Sequence, residues 1–127
     1  MKILLDTHIF LWAITADARI SSEHRSLFLD PANELYLSAA SIWEIVIKVG
    51  IGRLPIPVPV VPYVEQQMRR NDIGLLPIQL DHLAALDGLP RIHGDPFDRM
   101  LIAQARAERL PILTVDAAFQ QYQVDLL

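Results

Sequence analysis

The feature that most constrains this chain is an alternation. Four short apolar runs of strand length, Lys2–Leu5, Glu34–Leu37, Gly74–Ile78 and Pro111–Val115, are separated by longer stretches with a helical pattern. Helices are predicted over Thr7–Thr15, Ser22–Leu29, Ile42–Val49, Tyr63–Asn71, Leu80–Leu86 and Met100–Glu108, with a short helix at Ala117–Tyr122 and a last strand at Val124–Leu127. Strands alternating with helices point to an α/β fold with a central parallel sheet covered on both faces. No repeat or linker divides the 127 residues, so a single domain over 1–127 is expected.

Local signals fix several boundaries. Ser21 or Ser22 suits the cap of the second helix, which Asp30-Pro31 would end. Ser38 or Ser41 could start the third, and Gly50 would close it. Asp95-Pro96-Phe97-Asp98 reads as a helix start, with Asp95 as cap and Pro96 at the first position. Pro55, Pro57, Pro59 and Pro62 favour an extended stretch, too short and proline-rich to span a bilayer as a helix. The N-terminal apolar run breaks at Asp6, too early for a signal peptide, and a soluble cytoplasmic protein is expected.

Composition removes several kinds of chemistry. With no cysteine, the chain has no disulfide, thiolate metal site or cysteine nucleophile. With 11 basic residues against 15 acidic ones, a net charge of −4 gives no bulk attraction for nucleic acid. No Gly-x-Ser-x-Gly elbow or glycine-rich phosphate loop is present, and the four histidines share no metal-ligand spacing.

The acids carry the argument. In open α/β sheets, sites form beyond the carboxyl ends of the strands. Asp6 ends the first strand and Asp116 follows the fourth. Glu44 lies early in the third helix and Asp98 in the first turn of the helix before the fourth strand. Each has a plainer reading alone: Asp98 as a first-turn acid, Asp116 as a helix cap, Glu44 as the partner of Lys48 four residues on. Asp6, at the end of a buried strand, is hardest to explain that way. Four carboxylates gathered at one sheet edge would repel one another, and a hard divalent cation, Mg²⁺ or Mn²⁺, relieves the cost. Thr7, Ser38 and Thr114 are hydroxyls placed to orient the acids, although strand-end and capping roles would also account for them. His93 is a candidate for substrate contact or for a turn hydrogen bond. Arg99, Arg91 and Arg53 are candidates for phosphate contact, suited by the planar guanidinium.

Asp6-Thr-His-Ile-Phe-Leu-Trp, Ser41-Ile-Trp-Glu-Ile, Gly52-Arg-Leu-Pro, His93-Gly-Asp-Pro-Phe-Asp-Arg-Met-Leu-Ile-Ala-Gln-Ala and Leu113-Thr-Val-Asp form an ordered set. Together they resemble the PIN-domain ribonucleases, and within them the VapC-type toxins of toxin–antitoxin pairs. The resemblance implies a three-layer α/β/α sandwich and Mg²⁺- or Mn²⁺-dependent cleavage of RNA. The family's four acids fall on Asp6, Glu44, Asp98 and Asp116, and its hydroxyl near the last acid on Thr114. Asp6 and Asp116 would hold one ion directly, with Glu44 and Asp98 completing the shell directly or through water. Asp95 is read as the helix cap. The resemblance further implies a small VapB-like antitoxin covering the site and a homodimer, with Trp12, Trp43 and the Pro55–Pro62 region as candidate contacts. Two other readings stay open. One is a PIN fold that docks RNA or protein without cutting. The other is an aspartyl-phosphate protein using Asp6, which the His8 two residues later disfavours.

Overall fold

The computed structural model describes residues 1–127. Four parallel strands, β1 (Lys2–Leu5), β2 (Glu34–Ser38), β3 (Ile73–Leu76) and β4 (Ile112–Leu113), lie in the order β3-β2-β1-β4. Six α-helices join them: α1 (Thr7–Ile14), α2 (Ser22–Leu29), α3 (Ala39–Gly50), α4 (Val60–Arg70), α5 (Leu80–Asp87) and α6 (Pro96–Glu108). A short 3₁₀ helix, Ala117–Gln121, follows β4. None of the helices is long and apolar enough to cross a membrane.

Strand alternation sends successive side chains to opposite faces, and each face has its own core. Ile3, Leu5, Leu35, Leu37 and Leu113 pack with Ile9 and Phe10 of α1, Phe28 of α2, Ile45 of α3 and Val64 and Met68 of α4. Leu4 and Ile112 pack on the other side with Leu101, Ile102 and Ala105 of α6, Phe119 and Tyr122. The expected sandwich with both faces covered is what forms. Gly74 belongs to this close fit, because a Cβ there would stand 3.2 Å from the Tyr36 ring.

The boundaries differ from the expected ones where local chemistry intervenes. Helix α3 starts three residues early because the Ser38 hydroxyl accepts the Ala40 backbone N–H. Helix α4 begins at Val60 rather than Tyr63, with Pro62 in the first turn, where the missing N–H would have no helical partner anyway. Strand β4 keeps only two residues. Its successor Thr114 turns the chain, accepting the Asp116 N–H on its hydroxyl at 3.0 Å. The strand expected at Val124–Leu127 is a single bridge, Leu126 beside Ile112, because β4 offers no longer edge to pair with.

From β1 the chain steps through β2 to β3, then returns past β1 to place β4 on its other side. The strand order therefore reverses between β1 and β4. That pair, registered Leu4 with Ile112 and Leu5 with Leu113, delivers Asp6 and Asp116 to the same edge.

Candidate metal centre

Asp6 occupies the N-cap of α1, yet its side chain caps nothing. It is 2% exposed, and its Oδ2 accepts the Thr114 hydroxyl at 2.7 Å. An aspartate at an N-cap ordinarily satisfies one of the free N–H groups of the first turn, so Asp6 is turned toward something else. Thr7 ties this corner to α3 by donating its hydroxyl to Ser41 Oγ at 2.8 Å. One turn further along α3, Glu44 is 3% exposed. Lys48 Nζ donates to its Oε2 at 2.5 Å, as the spacing predicted. Glu44 Oε1 is buried with no partner at all.

Asp98 lies in the first turn of α6, where Asp95 Oδ1 accepts the Phe97 and Asp98 backbone N–H groups and caps the helix as expected. His93 Nε2 meets Asp98 Oδ2 at 2.9 Å. Asp116 Oδ1 accepts the Ala118 N–H at 2.9 Å, so its capping role is real and leaves the second oxygen over. A common pattern emerges across the four acids. Each has one oxygen held, by Thr114, Lys48, His93 or a backbone N–H, and the other carries no hydrogen bond within the chain.

The neighbouring charges that push Asp6 and Asp98 up come from other acids. Burial pushes Asp6 above its ordinary 3.8 despite the Thr114 hydrogen bond, and the charges of Asp116 and Glu44 push it the same way. Burial also raises Asp98, to about 6, against the opposing His93 hydrogen bond, with Asp95, Asp6 and Glu44 adding repulsion. A buried carboxylate oxygen without a partner beside repelling neighbours is costly in the bare chain. An oxygen-only set with one free atom per side chain fits a hard divalent cation.

Other polar residues sort differently. Of the three hydroxyls expected to orient the acids, Thr114 donates to Asp6, whereas Thr7 donates to Ser41 Oγ and Ser38 donates to Gln104 Oε1 at 2.5 Å, neither to an acid. Arg99, a candidate for phosphate contact, donates Nη1 to the carbonyls of Pro90 and His93 and to Tyr122 Oη, and Nη2 to Leu89 O. Arg53 and Arg91 are exposed. Trp43 is 58% exposed and stacks edge-on against Phe97, with ring centroids 5.1 Å apart, while Trp12 packs against the first core. Tyr122 and Ser41 were not singled out as partners, since no spacing along the chain relates Tyr122 to His93 or Ser41 to Thr7.

The one group of three that brings ligand-type atoms within 4.8 Å of one another lies elsewhere: Asp81, His82 and Glu108. Here the imidazole is already committed. His82 Nδ1 accepts the Gln79 backbone N–H at 3.0 Å, so Nε2 carries the proton and donates to Glu108 Oε1 at 2.8 Å. A protonated Nε2 is no metal ligand. The largest cavity, about 560 Å³ and lined by Arg106, Arg109 and Asp125 among others, lies at the C-terminal end of α6, the end opposite Asp98.

The PIN domain family model matches residues 3–125, nearly the whole chain and all four acids. The chain belongs to the PIN domain family. It is 44% identical to Ribonuclease VapC16 of Mycobacterium tuberculosis over 69 residues, a match spanning 54% of this chain and 46% of that protein's length. Its fold is similar to VapBC2 from Rickettsia felis bound to a promoter DNA fragment, with TM-score 0.71, 16% identity and coverage of 100% of this chain and 98% of that one. FitAcB from Neisseria gonorrhoeae is similar at TM-score 0.67 and 19% identity, covering 98% of this chain and 96% of its own. At these identities the structural likenesses establish the PIN architecture.

Proposed function

We propose that this PIN domain is a divalent-metal-dependent endoribonuclease and the toxin of a VapBC-type pair. The observation that carries this reading is the unpartnered, buried Oε1 of Glu44, set among three further carboxylates that each leave one oxygen free. The likeness to Ribonuclease VapC16 supports RNA as the substrate. The VapBC assemblies of similar fold support a small antitoxin as partner, and a homodimer fits the apolar Trp43, Ile47 and Ile51, exposed along and just beyond α3.

Asp6, Glu44, Asp98 and Asp116 are the residues that would hold Mg²⁺ or Mn²⁺. When bound, such an ion activates water for attack on a phosphodiester and stabilises the charge that develops on phosphorus oxygens. The chain's own residues do the rest. Thr114 and Lys48 hold the Asp6 and Glu44 carboxylates in place, and the bond from Thr7 to Ser41 keeps α1 and α3 from drifting apart. Leu5 and Ile45, wholly buried, flank Asp6 and Glu44 in the chain and keep water from that side, which strengthens charge interactions there. Arg53 and Arg91 are exposed cations available to the phosphate backbone.

The test is cleavage of mixed RNA by the purified chain with Mn²⁺, with EDTA, and by Asp6→Asn. Cleavage that needs the metal and vanishes in Asp6→Asn is expected. Undiminished cleavage by the variant overturns the reading.

A further inference from the structure

We propose that His93 is a positioning residue that aims the Asp98 carboxylate, and that Arg99 and Tyr122 together form the seat holding His93. The inference rests on the metal-dependent reading above and adds the machinery that prepares its fourth acid.

The segment between α5 and α6 has no regular structure, so nothing in the helices themselves fixes where His93 stands. It is fixed by side chains. The His93 backbone N–H donates to Tyr122 Oη at 2.8 Å. Arg99 Nη1 donates to Pro90 O at 2.8 Å and reaches Tyr122 Oη at 3.4 Å and His93 O at 3.5 Å, while Nη2 donates to Leu89 O at 3.3 Å. Leu89 and Tyr122 are themselves buried in the second core. One guanidinium therefore gathers the segment from Leu89 to His93, and its rigid fork suits several acceptors at once.

Arg99 follows Asp98 on the same helix. The clamp and the acid are thus one body, and His93 is returned to a fixed point beside Asp98 Oδ2, 2.9 Å away. Asp98 stands in the first turn of α6, half-buried, with the Asp95 side chain already spent on the helix N–H groups. Without His93, no side chain holds either Asp98 oxygen. With it, Oδ2 is occupied and Oδ1 is the atom left for the site. Thr114 and Lys48 do the same for Asp6 and Glu44, which gives His93 the same task by a different donor. A partner that orients a ligand in this way is commonly worth about 10- to 100-fold in metal affinity or activity.

The experiment measures Mn²⁺ alone against the full chain, by the electron paramagnetic resonance signal of the free ion, alongside steady-state RNA cleavage. Wild type is expected to bind and Asp6→Asn to lose binding. His93→Ala is expected to weaken Mn²⁺ about tenfold or more. Its cleavage should fall at low Mn²⁺ and recover as the ion is raised, with KM for RNA unchanged. His93→Gln, which keeps an N–H donor, should restore most of the affinity, and Tyr122→Phe should fall between. If His93→Ala does not fold, the volume-conserving Gln and Phe variants carry the comparison. Wild-type Mn²⁺ affinity in the His93 variants together with a raised KM for RNA overturns the inference and makes His93 a substrate contact, leaving the nuclease reading intact. A wild-type chain that neither binds Mn²⁺ nor cuts RNA overturns both.

Discussion

Helix α6 runs between two buried polar regions, and they are built on opposite terms. At its C-terminal half, Gln104 is wholly buried: its Oε1 accepts from Ser38, and its Nε2 reaches Pro77 O at 3.3 Å and His82 Nδ1 at 3.4 Å. His82, also wholly buried, joins Gln79 to Glu108. Every side-chain donor and acceptor of these two buried residues is spent. At the N-terminal half, the four acids hold one oxygen each and leave the other free, Glu44 Oε1 in complete burial. A satisfied network ties elements together, whereas an unsatisfied one is maintained at a cost to stability and waits for something from outside. Both regions contain acids and a histidine, so composition does not separate them. A buried oxygen without a partner does: Glu44 Oε1 has none, whereas the buried Gln104 and His82 have all of theirs.

The largest effect expected from this contrast is at Asp6. Asp6→Asn should lower metal-dependent RNA cleavage on the order of 10³-fold, since several kcal/mol of charge stabilisation are forfeited. The same change should stabilise the metal-free chain by about 1–2 kcal/mol, because an amide oxygen still accepts from Thr114 while the repulsion with Asp116 and Glu44 disappears. Urea unfolding beside a cleavage assay checks both. A variant that loses activity and stability together would mean that Asp6 is structural.

Gln104→Leu is the mirror image. It leaves the Ser38 O–H without its acceptor and Pro77 O without its donor, and a loss of about 2–4 kcal/mol in urea unfolding is expected. Mn²⁺ affinity should stay that of the wild type. A fall in metal affinity comparable to that in the acid variants would show the two ends of α6 to be coupled.

The sheet and both covered faces were legible in the sequence because each depends on local pattern plus topology, and the expectation for Asp6, Glu44, Asp98 and Asp116 was drawn from the same topology. Apolar period and capping residues suffice to put Asp6 and Asp116 beyond the carboxyl ends of strands, whereas the reversal of strand order between β1 and β4 came from the structure. The helix start at Asp95-Pro96 was legible for the same reason. What was not legible are the contacts between distant parts of the chain. Tyr122 reaches His93 from 29 residues away and Gln104 reaches Ser38 from 66, and neither spacing carries a signal. The internal occupation of Arg99 was hidden likewise, since it is set by loop carbonyls that any sequence supplies. The shortness of β4 turns on a single hydroxyl, that of Thr114, which ends the strand and holds Asp6 at once.

The acid pocket should also respond to pH. Asp98 is raised to about 6 from 3.8, so between about pH 4 and pH 6 the folded metal-free chain keeps a proton that the unfolded chain has released. Its contribution to stability is full below pH 4 and is lost as pH rises through 6. A divalent ion must displace that proton, so Mn²⁺ should raise the melting temperature more at pH 7.5 than at pH 5. Differential scanning calorimetry at the two pH values measures it. An equal shift at both, or a larger one at pH 5, would remove Asp98 from the ion's ligands.

The smallest effect is expected at Glu108, where the contrast can be tested in its least favourable place. Asp81, His82 and Glu108 have the residue types and spacing of a metal site, and the case against one is the tautomer imposed by the Gln79 N–H. Glu108→Gln keeps an oxygen to accept from His82 Nε2, and the pair is partly exposed, so a loss of less than about 1 kcal/mol is expected. In the Asp6→Asn background, where the acid pocket is disabled, Zn²⁺ should leave the melting temperature unchanged with or without Glu108. A Zn²⁺-dependent rise that Glu108→Gln abolishes would mean that the ion can outbid the Gln79 N–H for the imidazole. Hydrogen-bond satisfaction would then no longer separate the two ends of α6.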